Sequence, residues 1–124
     1  MRSMRNNFLV LPFLLGFVLL FSSCSTDNKK GILGIEVPVG SGKVTQDTPY
    51  IISGVYEDTP AYKAGIKPGD RIIQVDEMTI TNGMKFDEIF SKYLSGKAGT
   101  KVTIYIRRGQ DNLVFEVLRA ERAD

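Results

Sequence analysis

Histidine and tryptophan are absent from this chain of 124 residues, and cysteine occurs once. Without histidine, the usual general base and the commonest metal ligand are missing. A single cysteine excludes an internal disulfide and any zinc site built from several thiolates. No metal and no cofactor is expected. The chain is long enough for one domain and not for two, and it shows no internal repeat. With 43% hydrophobic and 24% charged residues its composition is that of a globular protein, which implies one modest core.

The first residues are unlike the rest. "MRSMRNN" carries Arg2 and Arg5 and no acid, and "FLVLPFLLGFVLLF", residues 8–21, is apolar apart from Gly16 and Pro12. Such a run is short for a membrane span, which takes roughly 20 apolar residues. A basic start, an apolar run and small residues together make a secretory signal. "LFSSCS" resembles a bacterial lipobox, in which the cysteine after small residues is lipidated and becomes the first mature residue. Phe21 stands where that pattern usually has leucine. The resemblance implies a lipoprotein signal peptide over 1–23, a lipidated Cys24, and a polar tether over 24–30. Two acyl chains would hold the protein stably at a membrane of the cell envelope, on its periplasmic or cell-surface side. A signal cut elsewhere, or an uncleaved anchor with an incidental cysteine, are the rival readings.

Loss of residues 1–23 removes Arg2 and Arg5 from the 16 basic residues and leaves 14, against 14 acidic ones. A mature chain near neutrality lacks the basic footprint of a nucleic-acid binder.

From Gly31 onward the pattern is that of short elements. "ILGIEV" (32–37) and "YIISGVY" (50–56) read as strands, with Gly54 a possible bulge and a long polar loop over 38–49 between them. In "DTPAYKAG", Asp58 or Thr59 can cap a short helix that Pro60 opens and Gly65 stops. "KPGD" suits a type II turn with Pro68 and Gly69 at its centre. "RIIQV" (71–75) leaves the turn as a strand, and Asp76-Glu77 reverses it into a short strand at Thr79-Ile80. The reversal favours a positive φ, for which Glu77 is a poor residue. Phe86, Ile89, Phe90, Tyr93 and Leu94 recur at helical spacing, with Asn82 as the expected cap and Gly96 as the stop. "TKVTIYIRR" (100–108) and "LVFEVLRAE" (113–121) alternate as paired strands around "GQDN". The order predicts an α+β fold, a small antiparallel β-barrel or sandwich of 5–6 strands with two helices.

"DTPAYKAGIKPGDRIIQVDEMTI" resembles the PDZ family's run of small-Pro-Ala-x-x-Ala-Gly-apolar-x-x-Gly-Asp and strand. "ILGI" resembles its carboxylate-binding loop. Having that loop strand first looks most like the bacterial PDZ domains of carboxyl-terminal processing and high-temperature-requirement proteases. The resemblance covers about 31–121. It departs at Asp76-Glu77, where the family often has Asn-Gly, and at the long 38–49 loop.

The resemblance implies a groove that takes C-terminal or extended peptides of envelope proteins by strand addition, with the terminal carboxylate in the 32–35 loop. Carried over by position, the strand side is Leu33, Gly34, Ile35, Glu36 and Val37, and the helix side is Phe86, Ile89, Phe90 and Tyr93. Periodicity alone leaves open which helix residues face the core. Bulky apolar walls suit a small or medium apolar C-terminal residue such as alanine or valine.

The expectation is a membrane-anchored, non-catalytic module with no protease domain attached. An adaptor for an envelope protease with an occluded groove is the first alternative. A remnant of a processing protease is the second, since a Ser–Lys dyad needs no histidine and Ser41, Ser53, Ser91 and Ser95 are present. The anchor has its own check. Mass spectrometry of the mature N-terminus is expected to find an acylated Cys24, and an unmodified start at another residue refutes it.

Overall fold

The computed structural model describes residues 29–121. The expected signal peptide and Cys24 lie outside the described residues. The elements in order are β1 (Gly31–Ile32), β2 (Ile35–Glu36), β3 (Gly54–Val55), α1 (Pro60–Ala64), β4 (Arg71–Val75), β5 (Met78–Thr79), α2 (Phe86–Ile89), β6 (Lys101–Arg108), β7 (Asp111–Leu118) and β8 (Ala120–Glu121). Helix α2 runs on as a π-helical stretch over Phe90–Leu94. Every strand pairing is antiparallel. Strands β5-β4-β6-β7 form a four-stranded sheet, while β1–β8 and β2–β3 are separate two-stranded ladders. This is the expected α+β class with two helices, built from more and shorter strands than the 5–6 read from the sequence.

The long hairpin β6–β7 is the most extensively paired part. Val102, Ile104 and Ile106 alternate inward and are fully buried, as their spacing predicts. Two residues, Gly109 and Gln110, make the turn, with Arg108 opposite Asp111 and Gly109 at φ +62. The turn is shorter than "GQDN", so β7 starts two residues earlier than expected. Strand β4 pairs with β6 through an irregular register, Ile72 opposite Ile106 but Gln74 opposite Tyr105. The extra residue, Ile73, is a β-bulge. It reverses the alternation, so that Ile72 and Val75, three apart, both enter the core.

The stretch 58–70 folds as its local chemistry dictates. Thr59 caps α1, its hydroxyl accepting from the Tyr62 amide, and Pro60 fills the first turn. Gly65 ends the helix at φ +103. Gly69 takes φ +95 in the next turn, where the Asp70 amide donates to the Lys67 carbonyl.

Asp70 itself is buried. Its carboxylate accepts from the Lys67 amide at 2.9 Å and from both Nε and Nη2 of Arg108 at 2.8 Å. The same Nη2 donates to the Gly65 carbonyl at 2.9 Å, and the guanidinium lies 5.9 Å from the Phe115 ring centre. A residue readable only as a turn aspartate thus joins the end of α1 and the turn to the end of β6.

Several local expectations meet a different outcome. The strand over 32–37 breaks at Leu33-Gly34, where Gly34 has φ +92. The strand over 50–56 shrinks to Gly54–Val55 plus a bridge from Ile51 to Arg71. Gly54 pairs with Glu36, but the Glu36 carbonyl also accepts from the Ser53 amide, so the expected irregularity does fall at Ser53-Gly54. Asn82 does not cap α2. Residues 83–86 instead dock on the 38–49 loop, through Gly83 N to Val44 O, Val44 N to Met84 O and Phe86 N to Gly42 O, so backbone carbonyls do the work of a cap. Gly96 does not stop the helix either. The Ser95 amide closes a wide turn on the Phe90 carbonyl at 2.8 Å, and Ser95 is extended. At the β4–β5 turn the positive φ, +52, falls on Asp76 and not on Glu77.

The Asp70 pair gives a pH-dependent prediction. Burial alone would raise the carboxyl, but the Arg108 hydrogen bonds, the Lys67 amide and the Arg108 charge outweigh it and hold it below the usual carboxylate range. A lowered folded pKa stabilises the fold above the unfolded value, about 3.9, and that stability is lost as pH falls through the folded value. Asp70→Asn is expected to lower unfolding free energy by about 2 kcal/mol at pH 7. In urea titrations the gap between the two proteins should narrow below about pH 4. A constant gap from pH 7 to pH 3 would show that the charge does not matter.

Candidate functional site

Among the described residues strand β2 has β3 as its only strand neighbour. The Gly34 and Glu36 carbonyls accept from Tyr56 and Ser53, so these residues turn their main-chain groups toward β3. Alternation then points the N–H and C=O of Ile35 the other way, along an open edge. Two depressions lie along that edge, under the helix that starts at Phe86. The first, about 430 Å³, is lined by Leu33, Gly34, Ile35, Tyr56, Thr59, Phe90 and Leu94, with Gly31, Ile32 and Ser95 at its end. The second, about 450 Å³, is lined by Ile35, Glu36, Val37, Val39, Ser53, Asp87 and Phe90. They share Ile35 and Phe90, so they are two halves of one groove.

The loop at the closed end is held from behind. The Leu33 carbonyl accepts from Ala61 N, in the first turn of α1, and the Gly34 carbonyl from Tyr56 N, each at 2.9 Å. Thr59 packs directly against Gly34. A Cβ added there would lie 2.2 Å from both Cβ and Oγ1 of Thr59, on a backbone already at φ +92. Glycine is needed for conformation and for space.

The helix presents one face to the groove and another to the core. Asp87, Phe90 and Leu94 line the groove at i, i+3 and i+7. Phe90 is 44% exposed, large for so apolar a side chain, and stands where a ligand would cover it. Ile89 is fully buried in the core and lines neither depression. Phe86 packs on Tyr50, ring centres 6.1 Å apart, and with Tyr93 lies against the core. Of the four helix residues carried over from the sequence, the structure brings only Phe90 to the groove. The other three sit about one residue out of phase, because docking on the 38–49 loop and the wide π turn set the helix's rotation.

On the strand side Leu33, Gly34 and Ile35 line the first depression, and Ile35, Glu36 and Val37 the second. Residues that sequence reasoning missed include Tyr56, Thr59, Leu94 and Asp87. Leu94 belonged to the visible periodicity. Thr59 was legible as a cap, and nothing local announces its second contact. The Tyr56 hydroxyl donates to Glu36 Oε2 at 2.5 Å, and that bond, with the Glu36 charge and slight burial, raises the phenol above its ordinary pKa. The 38–49 loop is tied to the start of the helix, with Gly40 N donating to Asp87 Oδ1 at 2.8 Å. It leaves the groove open, and Val39 stands 78% exposed on the rim. Among the described residues no three potential metal ligands come together.

Comparison with known proteins agrees with this geometry. Residues 51–108 match the family model of the PDZ domain. The chain is similar to a probable CtpA-like serine protease of Staphylococcus epidermidis, 31% identical over 90 residues covering 73% of this chain and 18% of the relative. A protein of the same name in Staphylococcus aureus is 29% identical over the same shares. The chain therefore spans under a fifth of the length of the curated relatives it matches. Among solved structures it resembles the photosystem II D1 C-terminal processing protease, with a TM-score of 0.62 and 22% identity over 85% of this chain and 27% of that one. It resembles the HtrA-type protease AlgW with tripeptide, at 0.59 and 21% over 90% and 38%. The HtrA3 PDZ domain bound to the phage-derived ligand FGRWV aligns at 0.50 and 19% over 68% and 86%. The fold is a PDZ fold.

The contact between Gly34 and Thr59 is testable. Gly34→Ala is expected to lower unfolding free energy by about 2–3 kcal/mol, from left-handed strain and the clash together. Urea denaturation measures it. A loss below about 0.5 kcal/mol, the scale of an inconsequential surface change, would mean that the loop is not held as described.

Proposed function

We propose that the PDZ domain of this chain receives the C-terminal or extended segment of another protein as an added strand on β2, and that it does so as a non-catalytic module. One observation carries the reading: the unpaired edge of β2 runs along an open groove that ends at the Leu33-Gly34 loop. With the loop's two carbonyls bound behind it, its N–H side is left for the terminal carboxylate. Ile35, Phe90 and Leu94 would wall the last side chain, which suits alanine or valine. The names of the solved relatives, an AlgW with tripeptide and an HtrA3 PDZ domain with FGRWV, support a peptide as the ligand.

The serine and threonine hydroxyls bordering the groove argue against nucleophilic chemistry by them. Thr59, Ser53 and Ser95 each donate to a backbone carbonyl, of Tyr56, Glu36 and Ser91. None is paired with a base, as a nucleophile would be. In this proposal the domain holds a client and any cleavage belongs to a separate catalytic unit. The similarity to CtpA-like serine proteases favours an envelope protease as that unit. A lipidated Cys24 would keep the module at the membrane, and residues 25–30 would give it reach.

Fluorescence anisotropy with a labelled peptide ending in Ala-Val tests the binding mode. The free acid is expected to bind at least about tenfold tighter than its C-terminal amide, since a charge-assisted bond is lost. Phe90→Ala should weaken the acid by about tenfold, as truncation of an aromatic anchor that the ligand covers does. Equal affinity for acid and amide would remove the carboxylate from the mechanism.

A further inference from the structure

Arg119 is the least explained side chain of the domain. It is only 7% exposed, and among the described residues no carboxylate lies within ion-pairing distance of it. Burial pushes its pKa down, yet an arginine keeps its charge. All three guanidinium nitrogens donate to neutral oxygens. Nε reaches the Leu94 carbonyl at 3.0 Å, Nη2 the Tyr93 carbonyl at 3.2 Å, and Nη1 the Thr100 hydroxyl at 2.9 Å. A buried cation with no ion pair among the described residues, and only the more distant Asp76 charge acting on it, is an unusual use of charge.

Its position relative to the groove gives the reason. Leu94, Ser95 and Gly31 line the closed end of the first depression. Arg119 holds the Leu94 carbonyl and packs on Gly31 so closely that a Cβ there would lie 2.6 Å from its own Cβ. Gly96, the next residue along, leaves room for the guanidinium, since a Cβ on it would lie 2.7 Å from Cζ. The guanidinium therefore sits directly behind the end of the groove. That end is also the C-terminal end of a helix, whose last carbonyls carry partial negative charge. Left open, they would repel an anion placed there.

We propose that Arg119 is a positioning residue for anion binding, one that makes this end of the groove fit for a carboxylate. It engages the carbonyls of Tyr93 and Leu94, offsets their field and adds positive charge behind the 32–35 loop. The carboxylate is held by the loop, and Arg119 acts through the helix end without touching the ligand. This rests on the reading that the groove takes a free C-terminus. A role confined to capping the helix would stabilise the fold and leave acid and amide ligands equally affected.

The test compares the unchanged protein with Arg119→Gln and Arg119→Lys, using the labelled Ala-Val peptide as free acid and as amide. Arg119→Gln is expected to weaken the acid by roughly tenfold and leave the amide within twofold, so that discrimination collapses; the loss of a partly buried unit charge behind the groove supports that scale. Arg119→Lys should keep most of it. Where Arg119→Gln does not fold, NMR of the unchanged protein supplies the readout. Its Arg119 Nε–H resonance should shift with the acid peptide and stay in place with the amide. An acid-to-amide ratio that survives Arg119→Gln, or an Nε–H resonance that moves equally with both, overturns the proposal. An unchanged protein that prefers neither ligand overturns the carboxylate reading of the groove, and this inference with it.

Discussion

The ion pair between Asp70 and Arg108 is where the ligand-facing half of the domain is fastened to its sheet. Arg108 ends β6, the best-paired strand, and its guanidinium takes both the Asp70 carboxylate and the carbonyl at the end of α1. Helix α1 has only five residues and would not stand alone. Fixed at its far end by Arg108 and capped at its near end by Thr59, it becomes a rigid peg. The Leu33-Gly34 loop hangs on that peg by Ala61 N and by the Thr59 side chain. A path of short contacts thus leads from the hairpin core to the closed end of the groove.

What was legible in the sequence follows from the range over which each choice is decided. The cap at Thr59, the stop at Gly65, the turn at Gly69 and the inward row Val102, Ile104 and Ile106 depend on a few neighbouring residues, and the sequence shows them. The rotation of the second helix does not. It is set by Gly42 and Val44 more than 40 positions upstream and by Arg119 25 positions downstream of Leu94. Phe86, Ile89, Phe90 and Tyr93 therefore read alike, and only Phe90 reaches the groove. The bulge at Ile73 is hidden in the same way, because an Ile-Ile pair satisfies either phase of a strand until β6 fixes one.

The charged residues divide by a similar rule. Glu36 and Asp87 border the groove and lie at the surface, where they meet a hydroxyl and an amide. Asp70 and Arg119 are buried and join segments far apart in the chain. Sequence gives no hint of the difference, since a turn aspartate and a strand arginine look equally solvated. Burial converts the first into a fastening and the second into a fixed source of field beside the groove.

Thr59 caps a helix with one side of its side chain and walls the first depression with the other. The hydroxyl serves the cap, so a change that removes it to reshape the pocket also loosens α1. Phe90 and Val39 carry no such double duty and stand at the surface. Diversification of what the groove accepts should therefore run along its outer rim, while its inner end stays nearly invariant among proteins that descend from the same ancestor.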